Sequence, residues 1–334
     1  MKEVQLALLG LGNVGRAFAE YCRTNANSLS PRLSVRAVAD SSGGLAIDSD
    51  EDVDRVLIHK SQGRKLSESA PAGLMRDDRE FIQSLEPAGV SVLVESLPTN
   101  IQSGQPALDL ITLALSLGLN VVTVDKGPLV HGFEALSAAS KTAGSRFAYS
   151  GTTGVAIPAE LSGDRVLEIA GVLNGTTNHI LTEMMEHRSE FDAALSQAQT
   201  DGIAEPDPSL DVEGWDTAAK ILILAKALMN ADSSLADVSR RGINADTEVL
   251  IQTARSTGRV VRLVGRAREH EGRVLVTVAP EMIASDSPFF SVRGTSKLAV
   301  FKTWNREIVS SSRSGRNAIA QTVLDDVISV MHIN

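Results

Sequence analysis

A glycine-rich turn follows the first apolar run of the chain and constrains the fold more than any other feature. The run VQLALLG (residues 4–10) has the continuous apolar character of a buried strand, and GLGNVG (residues 10–15) places Gly10, Gly12 and Gly15 in a G-x-G-x-x-G pattern before a helical pattern. The first glycine permits a tight turn, the second lets the backbone approach a pyrophosphate, and the third lets helix and strand pack closely. The predicted dinucleotide contacts of this turn are Gly10, Gly12, Asn13, Val14 and Gly15.

The first 150 residues alternate apolar runs with helical patterns. Four further runs indicate buried strands: SVRAVAD (34–40), SVLVES (91–96), NVVTVD (120–125) and RFAYS (146–150). The polar, glycine-rich stretch 41–52 is typical of a loop. Continuous apolar strands separated by helices are typical of a parallel sheet that is covered on both faces. We therefore predict an α/β protein with a Rossmann-type dinucleotide-binding domain over residues 1–150.

The pattern changes after about residue 165. The run RVLEIAGVL (165–173) indicates a strand, helical patterns then dominate as far as about residue 257, and three apolar runs follow, at 259–267, 273–280 and 297–303. A last helical pattern covers residues 317–331. We predict a second, α+β domain over residues 151–310, followed by a C-terminal helix in residues 311–334 that returns to the first domain.

Composition excludes several functional classes. The chain has 32 basic and 41 acidic residues, a net charge of −9, and no clustered basic stretch, so we expect neither a nucleic-acid nor an anionic membrane partner. The single cysteine, Cys22, excludes an internal disulfide and a multi-cysteine zinc site, and it fits a reducing compartment. No apolar stretch approaches the roughly 20 residues that span a bilayer. We expect a cytoplasmic protein.

Asp40 closes the second predicted strand, 25 positions after Gly15. A carboxylate at this position can accept hydrogen bonds from a ribose 2′-hydroxyl and repels a 2′-phosphate, so Asp40 indicates NAD in preference to NADP. The alternative is a surface aspartate that begins a loop.

Charged residues in three later stretches suggest catalysis. Lys126 in VVTVDKGPLV follows the carboxyl end of a strand, where α/β sheets bind ligands, and residues 174–177 (NGTT) begin a helix whose N–H groups suit an anion. The stretch AEPDPSLDVEGWDTAAK (204–220) becomes apolar after four carboxylates, yet it carries Asp216 and Lys220 one helical turn apart on one face.

An unpaired charge costs several kcal/mol (roughly) to bury, so the Asp216–Lys220 pair requires a partner or a ligand. A hydride-transfer enzyme must take the alcohol proton, stabilise the developing oxyanion and hold the rest of its substrate. A lysine can perform the first two tasks, and nearby carboxylates can hold an ammonium group. The alternatives are a surface ion pair for Asp216–Lys220 and a helix cap for Asp211.

These motifs resemble homoserine dehydrogenases. The matching stretches occur in family order from residue 6 to about residue 330: GLGNVG, VESLPTN, NVVTVDKGPL, GVLNGTTNHIL, AEPDPSLDVEGWDTAAK and GRNAIAQTVLDDV. The resemblance implies an NAD(P)-dependent enzyme of threonine and methionine biosynthesis that interconverts L-homoserine and L-aspartate 4-semialdehyde. It also implies a homodimer that pairs through the sheet of the second, catalytic domain, in a short form without the regulatory domain of many relatives.

The resemblance assigns roles residue by residue. It implies catalytic roles for Lys126, Lys220 and Asp216, with Lys220 as the proton-transfer group. It implies substrate contacts by Gly175, Thr176, Glu205 and Asp211. It implies cofactor contacts beside the nicotinamide by Leu97, Pro98, Thr99 and Lys126.

Three positions depart from the family pattern. Ile203 stands where members often have a substrate-contacting tyrosine, and Asp125 where asparagine is common. Ser150 replaces a glutamate near the family's cation loop, so we expect no metal site, and a monovalent-cation site built from backbone carbonyls is the open alternative. Two alternatives remain open: a homoserine-dehydrogenase-like paralogue that acts on a different amino-acid-like alcohol or aldehyde, and a catalytically silent NAD-binding sensor.

Overall fold

The computed structural model describes residues 3–26, 29, 31–69, 73–312 and 316–331. The chain divides into two compact units. Unit 1 comprises Met1–Thr152 and Gly315–Asn334, and unit 2 comprises Thr153–Ser314. Each unit contains one six-stranded sheet with helices, so the predicted α/β fold class is confirmed.

The sheet of unit 1 is a Rossmann-type sheet with strand order β3-β2-β1-β4-β5-β6. Its strands are β1 (Glu3–Leu9), β2 (Arg32–Asp40), β3 (Gly43–Ala46), β4 (Val92–Glu95), β5 (Asn120–Thr123) and β6 (Phe147–Ala148). All neighbouring pairs are parallel except β2 and β3. Because the chain moves to one side of β1 with β2 and to the other with β4, the strand order reverses between β1 and β4. Ligands of open α/β sheets bind outside the carboxyl ends of the strands at such a point.

The helices of unit 1 differ in how they begin, and several have polar caps that the sequence supplies locally. They are α1 (Asn13–Thr24), α2 (Asp50–Ser61), α3 (Leu66–Ser69), α4 (Asp78–Leu85), α5 (Ala107–Ser116), α6 (Lys126–Ala143) and α7 (Ser150–Thr153). Ser49 and Asp52 form a capping box at α2, and the Asp77 carboxylate accepts two backbone N–H bonds at α4. Helix α1 buries Phe18 and Cys22 in the core against the apolar side chains of β1 and β2.

The loop predicted over residues 41–52 is wrong at its centre, because Gly43–Ala46 forms strand β3, antiparallel to β2. Gly43 turns the chain with a φ of +132°. Gly44 packs directly on the Phe81 ring, where an added Cβ would lie 2.2 Å from the ring Cδ2. Glycine is disfavoured in strands, so a stretch with two glycines is typical of a loop. The contact with Phe81 requires glycine at position 44, and the sequence does not show that contact.

The sheet of unit 2 has strand order β12-β11-β7-β9-β10-β8. Its strands are β7 (Val166–Val172), β8 (Ser239–Arg240), β9 (Val260–His270), β10 (Arg273–Ile283), β11 (Lys297–Thr303) and β12 (Glu307–Ser312). Its helices are α8 (Gly175–His187), α9 (Phe191–Thr200), α10 (Ser209–Val212), α11 (Trp215–Met229) and α12 (Thr247–Ser256). The sequence patterns indicated β7, β9, β10 and β11 but missed the edge strands β8 and β12. The half-exposed residues of β12, EIVSSS, give no apolar run.

Helix α11 packs against β7, β9 and β10. Its residues from Thr217 to Ala225 are buried, and they include Lys220. Gly265 of β9 lies beneath the helix, where an added Cβ would lie 3.1 Å from both Thr217 and Ile221. This close packing carries the first turn of α11, and therefore Asp216, to the end of β7.

The last helix, α13 (Arg316–Met331), is part of unit 1. It packs against α1, β5 and β6, and it buries Val323, Leu324 and Val327 in the core of that unit. Among the described helices, none has both the length and the apolar character that a membrane crossing requires.

Candidate active site

The glycine turn of unit 1 has the geometry of a nucleotide-binding turn. Gly10 has a φ of +100°, and a Cβ there would lie 2.6 Å from the Ser96 carbonyl oxygen. A Cβ on Gly15 would lie 2.0 Å from the Gly10 carbonyl oxygen. A Cβ on Gly12, by contrast, would meet no atom within 4 Å. Packing of the protein itself thus requires Gly10 and Gly15, whereas Gly12 borders open space.

The N-terminus of α1 faces that open space without a side-chain cap. Gly12 is the N-cap and supplies no acceptor, and the first turn contains no acidic residue. The N–H groups of Asn13, Val14 and Gly15 precede the first helical hydrogen bond, which runs from Arg16 N to Gly12 O over 3.1 Å. A phosphate can therefore bind here, since the helix end offers donors and a positive dipole end. The predicted turn residues fit a dinucleotide diphosphate.

Asp40 lies at the end of β2, where its carboxylate is buried and already bonded. One oxygen accepts from Lys60 Nζ at 2.6 Å and Leu66 N at 3.0 Å, and the other from Ser42 N at 2.8 Å and Ser42 Oγ at 2.6 Å. Burial alone would raise the pKa of Asp40, but the Lys60, Ser42 and Leu66 donors outweigh it and lower the pKa. A ribose hydroxyl can bond to Asp40 only at an oxygen that already accepts two hydrogen bonds. The sequence did not indicate these internal partners.

Four of the predicted cofactor contacts lie at the carboxyl edge of the same sheet. Leu97 follows β4 and is half-buried, and the next two residues, Pro98 and Thr99, are exposed. Lys126 is the first residue of α6 and is half-buried, directly after Asp125, whose carboxylate caps that helix by accepting from Gly127 N at 2.9 Å.

In unit 2, Asp216 and Lys220 pair as their spacing predicts. Lys220 Nζ donates to Asp216 Oδ2 over 2.6 Å and to the Leu173 carbonyl oxygen, beyond the end of β7, over 3.0 Å. Lys220 is only 9% exposed. The alternative of a plain surface ion pair is therefore wrong, because the pair lies in the packed first turns of α11.

Asn174 joins this pair to a second carboxylate. Its Nδ2 donates to Asp211 Oδ1 at 2.6 Å and to Asp216 Oδ2 at 2.8 Å, while its Oδ1 accepts from Thr177 N at 2.8 Å as the N-cap of α8. The N-terminus of α8 is thus capped from within. Burial raises the pKa of Asp211, and the negative charge of Asp216 raises it further. We refer to Asn174, Asp211, Asp216 and Lys220 as the acid–lysine cluster.

Sequence reasoning missed Asn174 as an individual site residue. The available signal was its position as an N-cap asparagine between β7 and α8, since a cap side chain still has an amide N–H₂ to donate elsewhere. Its carboxylate partners lie 37 and 42 residues away in the chain, which no local pattern could indicate.

Two other predicted substrate residues adjoin the cluster and one does not. Thr176 bonds through its hydroxyl to the Asp211 carboxylate and to the Ile203 carbonyl oxygen, the latter at 3.2 Å. Gly175 is buried as the first residue of α8. Glu205 is exposed, and among the described residues its carboxylate makes none of the contacts that hold the cluster.

The acid–lysine cluster combines the groups that acid–base chemistry on an alcohol needs. A lysine ammonium has three N–H donors, and within the described part of unit 2 Asp216 and Leu173 occupy two of them. Gly154 borders Lys220 Nζ, where an added Cβ would lie 3.6 Å from that nitrogen. Among the residues with described placement, no group of three or more His, Cys, Asp or Glu side chains could hold a metal ion.

A Rossmann-type unit with an open glycine turn and an α+β unit with a buried acid–lysine cluster define a two-unit α/β protein of the dinucleotide-binding class. The chain belongs to the homoserine dehydrogenase family. The family model for homoserine dehydrogenase matches residues 155–328, and the resemblance drawn from the motifs is confirmed.

Similar proteins cover nearly the whole chain. The homoserine dehydrogenase of Methanocaldococcus jannaschii is 32% identical over 98% of this chain and 98% of its own length. The NAD(+)-dependent homoserine dehydrogenase of Pseudomonas canavaninivorans is 31% identical over 99% of this chain and 97% of its own. A hyperthermophilic archaeal homoserine dehydrogenase, solved in complex with NADPH, superposes with a TM-score of 0.80 at 26% identity, covering 98% of each chain.

Proposed function

We propose that this protein is an NAD(P)-dependent homoserine dehydrogenase that interconverts L-homoserine and L-aspartate 4-semialdehyde. The observation that carries the proposal is the buried Asp216–Lys220 pair, joined through Asn174 to Asp211, in a chain of this family. The proposal also rests on the cofactors named for two similar proteins, NAD(+) for one and NADPH for the other.

The substrate ammonium group is held by carboxylates. Asp211 adjoins the Asp216–Lys220 pair through Asn174 and is bonded by Thr176. A bound ammonium would favour the charged form of Asp211, whose pKa burial raises in the free protein. Gly175 and Thr176 contact the substrate at the start of α8, and Glu205 supplies a second carboxylate for the ammonium group.

Lys220 moves the proton. In the oxidative direction its neutral amine accepts the hydroxyl proton of homoserine, and the aldehyde forms as the hydride leaves the alcohol carbon. In the reductive direction the ammonium returns that proton to the aldehyde oxygen. Asp216 and the Leu173 carbonyl fix the direction of the amine, because each occupies one donor position. Lys126 serves as the second active-site lysine.

The glycine turn and the carboxyl edge of unit 1 hold the cofactor. Gly10, Gly12 and Gly15 shape the turn for its diphosphate, with the N–H groups of Asn13 and Val14 as donors. Leu97, Pro98, Thr99 and Lys126 contact the nicotinamide end. When bound, the nicotinamide supplies C4 as the hydride acceptor or donor.

The cofactor preference is for NAD, because the Asp40 carboxylate at the end of β2 disfavours a 2′-phosphate. Its pairing with Lys60 offsets part of that charge. We expect kcat/KM for NAD to exceed that for NADP by about tenfold or more. A larger kcat/KM for NADP would contradict the preference.

A cytoplasmic homodimer is the proposed form. Cys22 is the only cysteine and is a buried free thiol, which suits a reducing compartment. The dimer pairs through the sheet of unit 2, on which Ala170, Arg266, Phe289 and Val300 border a cavity of about 260 Å³. A monomeric mass in sedimentation equilibrium would contradict this arrangement.

Replacement of Lys220 by alanine tests the proposed role directly. We expect Lys220→Ala to lower kcat for homoserine oxidation by about 10²–10⁴-fold, the usual contribution of a positioned acid–base group, with unchanged affinity for NADH. Lys226→Ala, on the same helix but half-buried in its last turn, is the matched control and should retain kcat. Undiminished turnover in Lys220→Ala would falsify the role.

A further inference from the structure

Two buried carboxyl groups in unit 1 have no part in the proton transfer described above. Glu95, the last residue of β4, is 0% exposed, and Asp125, just beyond β5, is 1% exposed. Glu95 pairs in register with Thr123 of the neighbouring strand. The carboxyl edge of the sheet therefore carries two acids where the protein interior excludes water.

The Thr123 hydroxyl bonds both to the Glu95 carboxylate and to the backbone N–H of Asp125. The hydroxyl donates to Glu95 Oε2 and accepts from Asp125 N at 3.0 Å. Thr123 is itself 0% exposed, so the connection is closed to solvent. Such a chain of hydrogen bonds between neighbouring strands is rigid, since each member is held at two points.

The same two acids hold both ends of the proposed nicotinamide segment, Leu97, Pro98 and Thr99. Glu95 Oε1 accepts from Leu97 N at 2.6 Å. Asp125 accepts from the Thr99 hydroxyl and, at 2.9 Å, from Gly127 N at the start of α6. Leu97 and Thr99 thus depend on acceptors that lie behind them in the core, although Pro98 and Thr99 face outward.

Both acids cannot be ionised without strong repulsion. Burial raises the pKa of Glu95 to about 8, and the charge of Asp125 contributes to the rise. Burial also raises the pKa of Asp125, while Gly127 N, Thr99 and the positive charge of Lys126 lower it. Lys126 thus favours the charged form of Asp125, so the proton of the pair belongs to Glu95.

We propose that Glu95 and Asp125 are a proton-sharing pair of positioning residues, in which a protonated Glu95 bonded to Thr123 holds the 97–99 segment in its cofactor-binding arrangement. The inference rests on the proposed function, because it assigns the 97–99 segment to the cofactor.

Cofactor binding and the proton are then linked. A cofactor bound against the exposed Pro98 and Thr99 brings negative phosphates to the same unit as the buried pair. Their negative charge favours the protonated form of Glu95. By linkage, the protonated form binds more tightly, and affinity falls as Glu95 ionises at alkaline pH.

Titration of the protein with NADH alone, followed by cofactor fluorescence, tests this without turnover. For the unmodified chain we expect Kd to rise about fivefold or more between about pH 6.5 and about pH 9.5. In Glu95→Gln, which cannot ionise, the ratio of the two Kd values should fall to about one. In Asp125→Asn the rise should begin at lower pH, because the charge that keeps Glu95 protonated is gone. Exposed Asp109→Asn is the control and should follow the unmodified chain.

The outcomes that overturn this inference differ from those that also overturn the proposed function. A Kd for NADH that does not change with pH, or a rise that persists in Glu95→Gln, overturns the inference and leaves the proposed function intact. Absence of binding by both NADH and NADPH at every pH overturns both. Asp125→Asn provides a second test should Glu95→Gln fail to fold, as checked by its thermal transition. If Kd for NADH begins to rise at the same pH in Asp125→Asn as in the unmodified chain, the pairing of the two acids is overturned.

Discussion

Lys220 Nζ lies 2.6 Å from Asp216 Oδ2, one turn away on α11, and the two side chains are 11% and 13% exposed. Two charged groups that are buried in the packed face of a helix are stable there only when they are paired with each other. Removing one partner of such a pair leaves a buried charge without compensation, at a cost of about 3–5 kcal/mol.

The pair therefore predicts different outcomes for two substitutions of Asp216. Asp216→Asn keeps an oxygen that can accept from Lys220 Nζ, so we expect the fold to be retained and kcat to fall about 10²-fold or more, because the charge that orients Lys220 is lost. Asp216→Ala should in addition lower the free energy of unfolding by about 3 kcal/mol, measured by urea denaturation. Equal kcat in Asp216→Asn and the unmodified protein would contradict the role of Asp216.

Asn174 should contribute to both stability and substrate affinity. Asn174→Ala removes the N-cap of α8 and the donor between two carboxylates, so we expect a loss of about 1–3 kcal/mol in unfolding free energy and a higher KM for homoserine. Asn178→Ala, one turn further along α8 and outside the cluster, is a control for general damage to the helix. Its Nδ2 bonds to Gly294 O instead, at 2.8 Å. An unchanged KM in Asn174→Ala would contradict the bridging role.

The glycine turn predicts different effects for substitutions at two of its glycines, one on the stability of the fold and the other on cofactor binding. Gly15→Ala should destabilise unit 1, because its Cβ would lie 2.0 Å from the Gly10 carbonyl oxygen. Gly12→Ala should leave the thermal transition nearly unchanged, since its Cβ meets nothing within 4 Å, and should weaken NADH binding about tenfold or more by occupying the diphosphate space. Thermal unfolding and fluorescence titration measure the two effects. Tight NADH binding by Gly12→Ala would argue against this turn as the diphosphate site.

Asp326 of α13 predicts a pH dependence of stability. It is 5% exposed and accepts from Ser150 N at 2.8 Å, and burial raises its pKa to about 6. An unfolded aspartate has a pKa of about 3.9, so the folded protein holds more protons between about pH 4 and pH 6, and the contribution of Asp326 to stability falls as pH rises through that window. Asp326→Asn should remove this fall while keeping an acceptor for Ser150.

The measurement is the difference in unfolding free energy between Asp326→Asn and the unmodified protein across that pH range. We expect Asp326→Asn to become more stable relative to the unmodified protein by about 1–3 kcal/mol as pH rises from about 4 to about 7. Exposed Asp109→Asn, on α5 of the same unit, provides the control. A difference that does not vary with pH would show that Asp326 ionises normally in the folded protein.

Local spacing in the sequence was sufficient to predict much of unit 1 and part of the candidate site. The alternation of apolar runs and helical patterns indicated the parallel sheet, since buried strands of this kind are apolar on both faces. The interval of four residues between Asp216 and Lys220 was enough to predict one helix face. Strand β3 was missed because glycine indicates a loop, whereas Gly44 is required by its contact with the Phe81 ring, which the sequence does not show.

Hydrogen bonds between residues that are far apart in the chain could not be predicted in this way. Asp40 was predicted to bind ribose, yet its bonds to Lys60 and Leu66 come from 20 and 26 residues further along the chain. The roles of Glu205 and Lys126 stay predictions from the family resemblance. Glu95 carries no local signal, because it is an ordinary acid at the end of an apolar run, and the sequence marked Asp125 only as a departure from the asparagine that is common in the family.

By itself, the sequence determined the glycine turn, the parallel strands of unit 1 with the main helices between them, and the family of the protein, because these depend on residues near one another in the chain. Only the tertiary structure decided that Asn174 joins Asp211 to Asp216, and that Thr123 bonds both to the Glu95 carboxylate and to the Asp125 backbone. The physical reason is that burial and hydrogen-bond partners decide whether an acid is charged, and folding alone brings those partners together.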